Sequence, residues 1–143
     1  MKYVSYALTV CLSVAFCSPL AAQESPKTEI TVRISDATPS FKNQRLVVML
    51  HHTNPLQPDR GPTAVDRHVD AAFSHEQGTE TVLTITLGEK AQLKRGVQYF
   101  VNVSVFDGGR ITHVTERNGR TGPVDVPAGD GSFKIALSLR PAP

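Results

Sequence analysis

The chain has 143 residues, of which 40% are apolar, 20% charged and only 6% aromatic. That length suits one domain, the apolar share is too high for a disordered chain, and a formal charge of +2 makes no strong claim on nucleic acid. Beyond the N-terminus no apolar run approaches the roughly 20 residues that a membrane-spanning helix needs.

The first segment reads as a targeting signal. Lys2 gives a positive start, residues 4–16 are apolar apart from Ser5, Tyr6, Thr9 and Ser13, and Ser18-Pro19-Leu20-Ala21-Ala22 ends in small residues before Gln23. This three-part pattern predicts a secretory signal peptide over residues 1–22. A lipoprotein signal needs a small residue before its cysteine, and Val10 precedes Cys11 while Phe16 precedes Cys17, so acylation is not expected. Cleavage removes both cysteines. The remaining chain can then form no disulfide and offers no thiolate for catalysis or zinc. The expected location is periplasmic or secreted, with no membrane span after cleavage.

Residues 23–27 form a polar, flexible lead-in, and residues 28–140 read as one β-domain. Ile30, Val32 and Ile34 alternate with Thr31, Arg33 and Ser35. Residues 46–50 are continuously apolar, as expected of a strand covered on both faces. Leu83, Ile85 and Leu87 alternate with Thr84 and Thr86, and Tyr99, Val101, Val103 and Val105 with Phe100, Asn102, Ser104 and Phe106. Phe133, Ile135, Leu137 and Leu139 repeat the pattern near the C-terminus. Such alternation marks half-buried strands with the apolar side inward.

Turn signals separate these runs at Thr38-Pro39-Ser40, Asn54-Pro55, Asp59-Arg60-Gly61-Pro62, Asp107-Gly108-Gly109 and Gly129-Asp130-Gly131. Asn118-Gly119, between residues 111–117 and 120–126, is the strongest hairpin signal. The count is about seven or eight short strands, the pattern of an antiparallel β-sandwich or small barrel.

Residues 63–77 fit two patterns. As a strand they set Val65, Val69, Ala71 and Phe73 against Asp66, His68, Asp70 and Ser74. As a helix they form a stripe of Val65, His68, Val69, Ala72 and Phe73, with Thr63 and Asp66 resembling a capping box and Gly78 as the stop. The strand is favoured, with an inward Arg67 as its weak point.

Leu93-Lys94-Arg95-Gly96-Val97-Gln98-Tyr99-Phe100-Val101-Asn102-Val103 resembles the Leu-x-x-Gly-x-x-Tyr-x-Val-x-Val passage of fibronectin type III and related immunoglobulin-like sandwiches. The resemblance implies a single immunoglobulin-like sandwich in which the Tyr99 hydroxyl bonds back to upstream backbone. Residue chemistry asks for the same bond, because a buried phenol needs a partner. Domain size, strand order and the Tyr-x-Val-x-Val strand followed by Asp107-Gly108-Gly109-Arg110 are also similar to small envelope lipoproteins of the YbaY/YscW type, which are pilot- or chaperone-like β-sandwiches. This chain departs from them in lacking an acylated cysteine.

Few residues suggest chemistry. His51 and His52 are adjacent in a strand and point to opposite faces, so they cannot chelate one metal together. Met49 and His51 share a face, but two ligands do not make a copper site. Asp66, His68 and Asp70 would line one face of a strand and could hold a metal or exchange protons, although a solvated face yields the same triplet. No Gly-x-Ser-x-Gly elbow or phosphate loop occurs, and Asn102-Val103-Ser104 is a glycosylation sequon inside a strand. Residues 89–143 hold eight Lys/Arg against five Asp/Glu, with Arg117 and Arg120 beside the hairpin tip.

The expected function is therefore a non-catalytic binding or chaperone-like envelope module that uses no cofactor and partners with another envelope protein. A small periplasmic metal-binding protein or hydrolase using His51 or the Asp66/His68/Asp70 face is the alternative. The expected docking face carries Phe100, Asn102, Ser104 and Phe106, which share one side of a strand, with Arg110 at its end.

Overall fold

The computed structural model describes residues 27–53, 56, 58–89, 93–94, 97–126 and 133–143. The signal segment, most of the lead-in, and the turn signals at Asn54-Pro55 and Gly129-Asp130-Gly131 lie outside the described residues. The described chain is built from strands β1 (Thr28–Ile34), β2 (Phe41–His52), β3 (Thr63–His75), β4 (Thr81–Leu87), β5 (Tyr99–Asp107), β6 (Arg110–Arg117), β7 (Arg120–Thr121), β8 (Val124–Val126) and β9 (Phe133–Pro141). A short 3-10 turn, Pro58–Arg60, precedes β3.

All nine strands belong to one sheet with the order β3-β2-β5-β6-β9-β1-β4, while β7 pairs with β6 and β8 with β5. The all-β expectation holds. One pair departs from antiparallel pairing: β1 runs parallel to β9, setting Ile30 beside Ile135 and Val32 beside Leu137. The two ends of the path, β3 and β4, follow each other in the chain and lie side by side without forming a ladder, so the sheet nearly closes on itself.

Alternation decides which way each side chain points. Ile30, Val32, Ile34, Leu46, Val48, Leu50, Val101, Val103, Val105 and Leu137 fill the interior and are essentially inaccessible. Each such side chain stabilises the fold by roughly 1.5–3 kcal/mol, whereas an exposed ion pair such as Arg33–Glu80, 3.1 Å apart, contributes about 0–1 kcal/mol. The core therefore holds the fold. Tyr99, Val101, Val103, Ile85, Ile135 and Leu137, all expected inside, are buried.

The Tyr99 hydroxyl accepts a hydrogen bond of 2.9 Å from the backbone N–H of Lys94, the upstream bond expected of it. The Asn118-Gly119 hairpin is also present: both residues have positive φ, 53° and 75°, as a type I′ turn requires, and Arg117 faces Arg120. Gly122 then turns the chain out of this ladder, and β8 pairs with β5 instead.

Within residues 63–77 the strand runs over Thr63–His75, but its phase differs from the simple reading. Asp66, His68 and Asp70 pair with Leu50, Val48 and Leu46, so they share the inward face, while Arg67 and Val69 pair with Met49 and Val47 and point outward. The cause is a pair of bulges. Asn43 in β2 adopts φ 54°, and the register shifts between Gln44↔Phe73 and Leu46↔Asp70 insert an extra residue at Ala71-Ala72. The Asp70 carboxylate accepts from the Ala72 N–H at 3.0 Å, and Ser74 Oγ accepts from the Asn43 N–H at 3.0 Å. Arg67 is thus exposed, and the inward arginine that counted against a strand does not exist. Residues 46–50 also differ from expectation, because Val47 and Met49 are only half-buried on the outward face.

Phe41 sits between two buried histidines, with ring centroids 5.7 Å from His75 and 4.8 Å from His113. His75 Nε2 lies 3.1 Å from the Thr38 carbonyl, which can only accept, so this nitrogen carries a proton, and Nδ1 shares a hydrogen bond of 2.9 Å with the Thr81 hydroxyl. Burial, and secondarily the neighbouring His75, hold the His113 imidazole below its ordinary pKa.

Two expectations follow from these contacts. Tyr99→Ala should cost roughly 3–5 kcal/mol in urea unfolding and nearly abolish folding, while Tyr99→Phe should cost about 1 kcal/mol by removing only the bond to Lys94. The second concerns acid. Because the folded protein resists protonating His113 and the unfolded chain does not, stability is full above the ordinary histidine pKa of about 6.5 and falls as pH drops below it. Urea midpoints measured from pH 8 to about 5 should show this loss, and His113→Phe should flatten the slope.

Candidate functional site

The outer surface of the sheet is divided. Over β9, β1 and β4 the outward residues are mostly Thr31, Thr84, Thr86, Ala136 and Ser138 with paired charges, and Val82, 49% exposed opposite Arg33, is the apolar exception. Lys134 meets Glu29 at 3.1 Å, Arg33 meets Glu80 at 3.1 Å and Arg140 meets Glu116 at 3.9 Å. Over β3, β2, β5 and β6 the composition changes.

The pairing registers lay that second half out as a grid. Ser104 lies between Val47 of β2 and Val114 of β6, and Val47 in turn lies beside Val69 of β3. On one side of this row, Asn102 neighbours Met49, which neighbours Arg67. On the other side, Phe106 lies between Arg45 and Ile111. Phe100, next along β5, pairs with His51 and Asp125. Val69 and Ile111 are 45% and 43% exposed, far more than interior valines and isoleucines.

Side-chain contacts organise the patch. The His51 ring stacks on Phe100, with centroids 5.1 Å apart and planes 9° from parallel. Partial burial in this stack lowers the His51 pKa, and its Nδ1 lacks a hydrogen-bond partner among the described residues. The Arg45 guanidinium lies 4.9 Å over the centre of Phe106, a cation–π contact. Arg45, Arg67 and Arg110 form no ion pair among the described residues. The outward carboxylates on this half, Asp107, Glu116 and Asp125, sit at its margins, and Glu116 already meets Arg140.

The expected residues Phe100, Asn102, Ser104 and Phe106 are thus brought together on the outward face of β5, Ser104 deepest among them, and Arg110 stands exposed at its margin. The neighbouring strands are all members of the same sheet, so residues 63–77 do not cover the two phenylalanines. Arg45, Val47, Met49, Arg67, Val69, Ile111 and Val114 complete the patch and were not expected in it. The continuous apolar run 46–50 signalled only Val47 and Met49 in the sequence.

The histidine and carboxylate candidates are placed differently. His51 faces outward, and His52 faces inward with its ring edge-on to Tyr99 at 6.1 Å. Asp66, His68 and Asp70 line the inner side of the β3 edge. Asp66 accepts hydrogen bonds of 2.8 Å from the Gly88 N–H just past β4 and 2.8 Å from the Arg67 N–H. At the opposite end of the seam the His75–Thr81 bond ties the same two strands. Among the described residues no three His, Cys, Asp or Glu side chains converge to hold a metal ion.

No protein-family model matches the chain, and no curated protein is significantly similar to it in sequence. Its fold is similar to a solved structure, an alternative pilotin from the type II secretion system of Vibrio cholerae. The TM-score is 0.52 over 82% of this chain and 96% of that chain, with 12% sequence identity. The chain has a pilotin-like fold.

If Asp66 serves as a clasp between β3 and β4, its loss should be felt in stability. Asp66→Ala should lower the unfolding free energy by about 1–2 kcal/mol, and Asp66→Asn, which keeps an acceptor for Gly88, by less. His68→Ala, which makes no such bond, should change it by under about 0.5 kcal/mol. Thermal melts of the three variants check this ordering.

Proposed function

We propose that this protein is an exported, non-catalytic binding or chaperone-like module of the cell envelope, and that it holds another envelope protein against the outer face of β3, β2, β5 and β6. One observation carries the reading. A single sheet presents one outer half that is polar with paired charges, Val82 apart, and another that groups apolar and aromatic residues with unpaired arginines. Contiguous exposed apolar surface of this kind marks interaction sites, and aromatic and arginine anchors among small residues match interface composition.

Three further points support it. The tripartite N-terminus reads as an export signal. The fold neighbour is a pilotin of a secretion system, although folds host many functions and the likeness speaks for architecture. Asp66, one of the three residues on which the metal-binding or hydrolase alternative rests, also clasps the seam.

Crosslinking in the native envelope fraction followed by mass spectrometry tests the reading. Phe106→Ser should leave the melting temperature within a few degrees, because the ring is only half-buried, while weakening capture of the partner. A loss of several kcal/mol, as in a large-to-small core change, would return Phe106 to the core and remove the face.

A further inference from the structure

We infer that the partner segment is acidic: an extended polypeptide that places two carboxylates on Arg45 and Arg67 and an apolar side chain between them on Val47. This rests on the docking face proposed above and names the chemistry it takes. Arg67 lies beside Met49, and Arg45 stands four residues further along β2. Strand geometry sets their Cα atoms about 14 Å apart, from ~3.3 Å per residue along the strand and ~4.8 Å between strands. Val47 and Val69 occupy the interval.

An extended segment shows alternate side chains to one face, so residues i and i+4 are separated by about 13 Å. The pattern acidic-x-apolar-x-acidic therefore matches arginine–valine–arginine in both spacing and chemistry. Arg45 is partly organised for the task, because its guanidinium rests 4.9 Å over the Phe106 ring rather than on a carboxylate, and a guanidinium can take a carboxylate in two parallel bonds. Neither arginine has a carboxylate within ion-pair distance among the described residues, and the acids of this half lie at its margins, Glu116 already on Arg140. Strand addition at the β3 edge is disfavoured, since that edge carries a bulge and inward-pointing Asp66, His68 and Asp70, features that block edge pairing. The face, not the edge, is left to bind.

The test uses fluorescein-labelled synthetic peptides with the core Glu-Ser-Leu-Ser-Glu, compared with Gln-Ser-Leu-Ser-Gln and Glu-Ser-Ser-Ser-Glu, titrated against the purified protein by fluorescence anisotropy. The Glu-Leu-Glu peptide should bind about tenfold or more tightly than either control, and Arg45→Ala/Arg67→Ala should remove that advantage. Raising the salt from about 50 to about 500 mM should weaken it likewise. Circular dichroism checks that the double variant stays folded, which is expected of exposed substitutions. Equal binding of the Glu and Gln peptides, or full binding by the double variant, overturns the inference. So does arginine-dependent binding to phosphatidylglycerol vesicles with no peptide binding, which would assign the arginines to a lipid surface. Crosslinking separates the two levels. If Phe106→Ser loses the envelope partner and the arginine variant keeps it, the face stands and the acidic chemistry falls; if neither variant loses it, both fall.

Discussion

A seven-strand path that curls toward closure leaves its two end strands, β3 and β4, each with one edge outside any ladder, and most of this molecule follows from how that seam is treated. β3 and β4 meet side by side, clasped by His75–Thr81 at one end and by Asp66 on the Gly88 N–H at the other. Unpaired edge backbone invites other chains to add on. Here bulges bend β3 and set carboxylates and an imidazole on its inner side. The same bulges reverse the phase of the strand and turn Val69 and Arg67 outward. The edge becomes unreceptive while the adjoining face gains an apolar residue and a cation.

How much of this the sequence discloses depends on how strictly each strand obeys one period. β1, β4, β5 and β9 carry apolar residues at almost every second position, and their inward faces are legible without any structure. The Tyr99 bond to Lys94 is legible for another reason, since a buried hydroxyl must find a partner and the Leu-x-x-Gly-x-x-Tyr passage offers upstream backbone. β3 is different. Its polar and apolar residues alternate well, but an extra residue at Ala71-Ala72 inverts the face they occupy, and no residue type announces a bulge made of two alanines. Pattern alone therefore set Asp66, His68 and Asp70 on the wrong side.

The docking face shows the same limit from another side. Phe100, Asn102, Ser104 and Phe106 share a strand, and strict alternation is enough to group them. Arg45, Val47, Met49, Arg67 and Val69 join them only because β2 lies between β3 and β5, an order that depends on long-range pairing. The continuous apolar run 46–50 carried the information in ambiguous form. A strand covered on both faces and a strand with one face in the core and the other at an interface have the same composition. Exposure distinguishes them: Val48 is fully buried while Val47 and Met49 are half open.

That division of labour also bears on what the surface can do. The ion pairs over β9, β1 and β4 contribute little to stability, about 0–1 kcal/mol each, but they keep that half hydrated and make apolar association there costly. On the other half, desolvating Val47, Met49, Val69 and Ile111 is favourable at roughly 25 cal/mol for each Å² of apolar surface removed from water. The arginines oppose this unless a partner neutralises them, because a buried unpaired charge costs several kcal/mol. Apolar area thus supplies affinity, and the cations impose a condition on it: a neutral apolar segment meets the valines at the expense of stranding Arg45 and Arg67, whereas an acidic one satisfies both. Selectivity on this face follows from that penalty, as interfaces commonly use unfavourable contacts to reject the wrong partner.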